Sequence, residues 1–154
     1  MVHKLVVLEW LYKADQDFGF ASLALSEEQL SYYDPICFHF HQAAEKYLKA
    51  YIVKYDLPFR KEHDLRKLAT TCSKHHSAFS ALIPACTYLN SFYIETRYAD
   101  DRFVTFTRED ALEAQKSAQT IQETVRSELG IHYEITIDIV QEENKKVDEQ
   151  LQKD

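Results

Sequence analysis

Glycine and proline are nearly missing from this chain. Its 154 residues hold two glycines, Gly19 and Gly130, and three prolines, Pro35, Pro58 and Pro84. A β-sandwich or barrel needs turn residues every ~8–12 positions, so those folds are excluded. Two distant glycines also cannot build a P-loop, a dinucleotide-binding glycine fingerprint or a nucleophile elbow, since each needs several close backbone approaches. Whole classes of nucleotide-dependent enzyme and hydrolase drop out with them. Cysteine is scarce too. Cys37, Cys72 and Cys86 are odd in number and far apart, so they read as small buried hydrophobes, not as a disulfide or zinc framework. No apolar run approaches ~18 residues, and the start, Met1-Val2-His3-Lys4 followed by four apolar residues, has no signal-peptide core. The expectation is a cytoplasmic protein without a membrane span.

What is present is a globular mix, 45% hydrophobic and 28% charged, long enough for a substantial core. The net charge of −7 argues against indiscriminate nucleic-acid binding by the whole surface. The charge is uneven, however. Between Lys46 and His76 stand eight Lys/Arg against three acids, a local +5 that leaves −12 on the rest of the chain. One basic surface on an acidic protein is therefore allowed.

Periodicity predicts an all-α fold, an up-and-down bundle of four to five helices over residues 1–130. A C-terminal arm and charged tail over 131–154 complete the division. Val7, Leu11, Ala14, Phe18, Ala21 and Leu25 recur at heptad-like spacing along a first helix from Val2 to Ser26, with Gly19 tolerable inside it if a neighbour approaches there. Asp34 reads as an N-cap and Pro35 as the first residue of a second helix, which runs to about Tyr55. Its core stripe is Cys37, Phe40, Ala44, Tyr47, Leu48 and Tyr51. A different face carries Phe38, Gln42, Glu45 and Lys49. A third helix begins near His63-Asp64 and ends about His75-His76-Ser77. A fourth runs from Ser80 to Arg97 with Leu82, Cys86, Leu89 and Tyr93 inward. Thr107 caps a fifth, assisted by Glu109 and Asp110, and Gly130 closes it. Beyond Gly130, Ile131, Tyr133, Ile135, Ile137 and Ile139 alternate with polar residues, the period of an extended arm; 141–154 reads as a frayed tail.

Seven histidines raise the question of a metal. His39 and His41 lie two apart, about 200° around a helix, and cannot grip one ion. His75-His76 has no carboxylate at ligand spacing, and neither H-E-x-x-H nor E-x-x-H occurs. No metal and no cofactor are expected.

The segment from Cys37 to Ala50 reads Cys37-Phe38-His39-Phe40-His41-Gln42-Ala43-Ala44-Glu45-Lys46-Tyr47-Leu48-Lys49-Ala50. Downstream come His63-Asp64-Leu65-Arg66-Lys67-Leu68 and Tyr93-Ile94-Glu95-Thr96-Arg97-Tyr98. Together these resemble the HEPN domain family, whose pattern runs F-H-x-Q-Q-A-x-E-K-x-L-K-A, then H-D-L-x-x-L, then Y-I-E-x-R-Y. His41 stands where that pattern has its first glutamine. The resemblance covers about residues 5 to 130 and rests on three ordered motifs. It implies a helical bundle, a homodimer, and a nucleotidyltransferase partner in a toxin–antitoxin-type system. It implies binding of nucleotide or RNA and marks Gln42, Glu45, Lys46, Lys49, His63, Arg97 and Tyr98 as the ligand-binding set.

Many members of that family are metal-independent endoribonucleases with an R-x4-6-H motif, in which arginine stabilises the phosphorane and histidine moves protons at the 2′-oxygen. Here no histidine follows Arg97 in register. Arg126 and His132 fit R-x5-H by counting but lie past the last bundle helix, and chance supplies about one such match in a chain with seven histidines. No catalytic residue is assigned. The leading expectation is a HEPN nucleotide- or RNA-binding protein; the alternatives are an endoribonuclease toxin and a helical protein-interaction domain without ligand. Each marked residue also has a plain reading. Glu45 and Lys49 form an i,i+4 pair worth ~0.3–0.5 kcal/mol on an exposed helix, His63 can cap, and Arg97 can satisfy helix-end carbonyls. Tyr47, Tyr51, Tyr88 and Tyr93 share helical spacing and read as core.

Overall fold

The apolar stripes of the sequence become the inner faces of helices. In the computed structural model, which describes residues 2–58, 61–95 and 104–153, α1 spans Val2–Ser26 and α2 Tyr33–Lys54. α3 (Leu65–His75), a 3₁₀ segment (Ser77–Leu82), α4 (Ile83–Asn90) and the single turn α5 (Phe92–Glu95) follow, then α6 (Arg108–Leu129) and α7 (Ile137–Leu151). Among the described residues there is no strand, and no helix is long and apolar enough to cross a membrane.

α1 and α2 run antiparallel: Asp17 meets Lys46, Asp15 meets Tyr47, and Trp10 meets Lys49. α6 packs along α2 on the other side. Small residues line these contacts. Ala14 and Ala21 on α1, Ala43 and Ala44 on α2, and Ala111, Ala114 and Ala118 on α6 are wholly buried, which lets the helix backbones approach closely. Larger side chains fill the gaps: Leu11, Phe40, Tyr47, Leu48 and Ile121 are also fully buried, each contributing roughly 1.5–3 kcal/mol by leaving water. The Tyr47 hydroxyl is the polar node at the centre. It donates to Asp15 Oδ1 at 2.5 Å and accepts from Gln122 Nε2 at 2.7 Å, and Asp15 pairs in turn with Arg126. Burial, then the Asp15 charge, pushes the phenol's ionisation up, so it remains a neutral donor.

α6 has the ends its sequence predicts. The Thr107 hydroxyl accepts from the Asp110 N–H at 3.2 Å, and the Asp110 carboxylate accepts from the Thr107 N–H at 2.8 Å. Gly130 takes φ 66°, the left-handed cap that favours glycine. The three cysteines are free and buried, and burial pushes each thiol up to about 12, leaving it unreactive.

Four local readings need correction. Asp34 does not cap α2, which starts at Tyr33, two residues before the expected Pro35; its carboxylate accepts from the Phe106 N–H at 3.1 Å and pins the approach to α6. Proline suits the first turn at large, where backbone N–H groups have no helical partner, so it does not fix the cap. Gly19 faces solvent with nothing within 4 Å of the place a Cβ would take, so no neighbouring helix requires it. The fourth helix is broken at Ser91, where the hydroxyls of Thr87 and Ser91 bond back to the carbonyls of Ile83 and Tyr88. Between Gly130 and α7 the C-terminal piece is non-helical over 131–136. Thr136 then accepts from the Ile139 N–H at 3.4 Å and opens α7, whose buried side is Val140, Glu143 and Val147. Those three are spaced three and four apart, and good helix formers surround them, so the helical period outweighs the short alternation. α7 lies against α1, with Lys4 Nζ 2.9 Å from the buried Glu143 carboxylate.

Candidate functional site

The chain leaving α2 doubles back, so that by Glu62 it lies beside the middle of α2 and α3 starts there. That return places His63 over the polar face of α2. His63 Nδ1 stands 3.1 Å from Glu45 Oε1, and the Lys49 ammonium donates to the same oxygen at 2.5 Å. The Glu45 and Lys49 side chains are only 6% and 7% exposed, so this is no solvated surface pair. Removing either partner of a buried pair leaves an uncompensated charge, which is what makes such a pair sensitive to change. Lys49 also lies 5.5 Å from the centroid of the Trp10 ring on α1, a cation–π contact.

Tyr93 on α5 closes the site. Its ring stacks on His63 with centroids 5.0 Å apart and 15° between planes, and it lies 5.2 Å from the His41 ring. His41 is wholly buried, and neither of its ring nitrogens has a hydrogen-bond partner among the described residues. Burial pulls its pKa down to about 4; the nearby Glu45 charge and the His63 main chain pull it upward without outweighing that penalty. Burial thus keeps His41 a neutral imidazole inside the cluster. Buried polar groups are ordinarily satisfied, so His41 stands out within this cluster.

His63 is the half-exposed member, with 40% of its side chain open. With Nδ1 committed to Glu45, its Nε2 is the nitrogen left for a ligand, and the carboxylate behind it fixes the ring's orientation. The helix cap is supplied by Asp64, whose carboxylate accepts from the Arg66 N–H at 2.9 Å and from Asn90 Nδ2 at 2.8 Å.

Of the seven residues marked in the sequence, the structure brings Glu45, Lys49 and His63 together, with Gln42 half-buried one turn earlier on α2. Lys46 is elsewhere. Its ammonium pairs with Asp17 of α1, to which His39 Nδ1 also bonds at 2.9 Å. Burial works to raise the Asp17 pKa, but these two partners together hold it below the usual carboxylate range. Arg97 and Tyr98 lie outside the described residues. Two members of the cluster, His41 and Tyr93, are not among the seven. The sequence signal for His41 is its departure from the glutamine of the family pattern. The sequence reads Tyr93 as core along with Tyr47, Tyr51 and Tyr88; Tyr47 and Tyr51 are buried, but Tyr88 and Tyr93 are only half-buried.

Arg126 lies in the last turn of α6 rather than past it, and with His132 and Asp15 it lines a pocket of about 320 Å³. The Arg126 guanidinium is occupied by Asp15 and by the carbonyls of Ile131 and Tyr133, at 3.2 and 3.0 Å, clamping the segment that leads to α7.

Comparison with known proteins agrees with this frame. The HEPN domain profile matches residues 7–128. The crystal structure of TT1696 from Thermus thermophilus is similar at 27% identity and a TM-score of 0.69, over 79% of this chain and 96% of that one. The structure of ST0689, described as an archaeal HEPN homologue, is similar at 25% identity and a TM-score of 0.63, with the same two coverages. No curated protein matches.

Proposed function

Because the chain belongs to the HEPN domain family, we propose that it is a nucleotide- or RNA-binding protein whose ligand meets the cluster of Glu45, Lys49, His63 and Tyr93. The observation that carries this reading is the His63 ring, held by Glu45 on one nitrogen, stacked on Tyr93 and open on its other side. A half-exposed imidazole on an aromatic ring is a natural surface for a base, and the buried Glu45–Lys49 pair behind it holds the ring in place. Gln42, Arg97 and Tyr98 complete the proposed set, while Lys46, marked with them in the sequence, is turned toward Asp17 on another surface. A guanidinium at position 97 would add bidentate phosphate recognition. The protein works as a homodimer and beside a nucleotidyltransferase in a toxin–antitoxin-type pair.

The test is fluorescence anisotropy with labelled uridine monophosphate and a labelled uridine oligomer, on the wild type and on His63→Gln and Arg97→Lys. Weaker binding at an unchanged melting temperature supports the reading. Equal binding by both variants, or a loss that tracks only a loss of stability, refutes it. Light scattering checks the dimer, and co-purification with a nucleotidyltransferase expressed alongside checks the pair.

One observation favours a second reading. A histidine oriented by a carboxylate is the geometry of a general base, so the His63–Glu45 pair fits a metal-independent endoribonuclease as well. Cleavage of single-stranded RNA that resists chelator and vanishes in His63→Gln would favour it.

A further inference from the structure

The outer face of α3 carries an open groove of 630 Å³, separate from the His63 cluster, with Asp64 at its end and Arg66, Lys67, Thr70, Lys74 and Ile83 among its walls. Helical spacing builds it. Arg66, Thr70 and Lys74 are four apart and share one face, with Lys67 beside them. Arg66 and Lys74 are exposed and form no ion pair among the described residues, and Lys67 stands 3.4 Å from Glu62 with its side chain 69% open. Asp64, the one acid in the groove's lining, is spent on the helix cap and on Asn90, while Glu62 beside the groove is taken up by Lys67; burial pulls the Asp64 pKa upward, but its hydrogen bonds hold it below the usual carboxylate range. On a chain with net charge −7, this is a concentrated patch of positive potential.

We infer that this groove binds the sugar-phosphate backbone of a single-stranded polynucleotide, which continues past the groove's Asp64 end toward the neighbouring His63 cluster. The inference rests on the nucleotide- or RNA-binding reading and narrows it from a mononucleotide to a strand. Arg66 and Lys74 are eight residues apart, about 12 Å along the helix, or about three nucleotides at the ~3.4 Å rise of a stacked strand. The groove has threonines and one aliphatic residue between its cations, and no aromatic side chain lines it. Contacts of that kind hold phosphates without reading bases. An acidic protein partner fits less well, because stable protein interfaces centre on buried apolar or aromatic anchors. The large exposed apolar side chains of α1 and α6, Phe20, Leu23 and Leu112, do not line this groove.

Anisotropy titrations of a labelled 12-mer uridine oligomer, run across a salt series, test the inference on the full chain. With about three phosphates neutralised, log K should fall against log salt with a slope of about −2. Arg66→Glu with Lys74→Glu, both on the surface, should weaken oligomer binding by at least tenfold and flatten the slope while leaving uridine monophosphate binding unchanged. If that double variant binds the oligomer as the wild type does, or if the wild type binds monophosphate and oligomer equally, the inference is overturned and the site at His63 still stands. If the groove variant loses oligomer binding but His63→Gln affects neither probe, the groove survives and the reading of the His63 cluster fails. Competition by polyglutamate as effective as by unlabelled oligomer at equal charge would mark an acidic-protein surface and overturn the assignment, and so would a wild type that binds neither probe.

Discussion

Replacing His41 by glutamine, the residue that the family pattern carries there, should remove a pH dependence from folding. In the folded chain His41 is wholly buried and its pKa lies at about 4, against an ordinary 6.5. The unfolded chain therefore takes up this proton as pH falls through 6.5, while the folded chain refuses it until about 4. Between those values the unfolded state binds more protons, so stability rises with pH; the contribution is complete above 6.5 and lost progressively below it. At roughly 1.4 kcal/mol per pH unit of separation, the full loss at pH 4 is about 3 kcal/mol. For a chain of this length that corresponds to a fall of about 6–12 °C in melting temperature. Glu45, Lys49, His63 and Tyr93 surround the ring and remain in both proteins, and Asp17 does not interfere. Its lowered pKa gives stability above the ordinary carboxylate value of 3.8, lost only at more acid pH. Thermal melts by circular dichroism at half-unit steps from pH 7.5 to 4 on wild type and His41→Gln read the difference directly. The wild type should lose the extra 6–12 °C relative to the variant across that range. Parallel curves would refute the argument, since burial of an unpaired imidazole would then not be what sets the slope.

Other substitutions test separate parts of the account. Gly19→Ala fills an exposed mid-helix position that no neighbour crowds, and should raise stability by ~0.5–1 kcal/mol in a thermal or urea melt. Thr107→Ala removes half of the capping box on α6 and should cost about 1 kcal/mol by the same measurement. Glu45→Gln strands the Lys49 charge in a buried site and should destabilise by ~3–5 kcal/mol; adding Lys49→Met should recover most of that loss, and no recovery would show that the pair is not the coupled unit described.

Helical periodicity is enough to read the bundle, because the buried stripes of α1, α2 and α6 recur at three- and four-residue spacing and Thr107 and Gly130 carry their own start and stop chemistry. Short or ambiguous local patterns mislead. Five alternating apolar residues after Gly130 look extended, yet α7 is decided by Thr136, Val140 and Val147 over a longer window. The candidate site is legible as residue types and not as a place. Nothing in the spacing says that the chain after α2 returns to lay His63 on Glu45, nor that a face read as solvated would be buried. The same holds for Lys46, one residue from Glu45 in sequence yet turned toward Asp17 on α1. Neighbours on a helix diverge by about 100°, so one motif serves two different surfaces.

The hydroxyl of Tyr47 has a consequence for how α1, α2 and α6 find their axial alignment. Alanines line the contacts among those helices, and smooth faces of that kind let two rods slide along each other with little change in packing. A slip of one helical turn, about 5.4 Å, would leave many of the alanine contacts replaced by equivalents. It could not preserve a phenol that meets Asp15 of α1 at 2.5 Å and Gln122 of α6 at 2.7 Å, because those partners occur once. The helices are held close by their smallest side chains, but they are indexed by one of their largest. A Tyr47→Phe protein would keep nearly all of its buried area and lose the mark that distinguishes one sliding position from the next; its signature would be a broadened set of interhelical alignments, visible as multiple backbone resonances for α1, at a secondary-structure content that hardly moves.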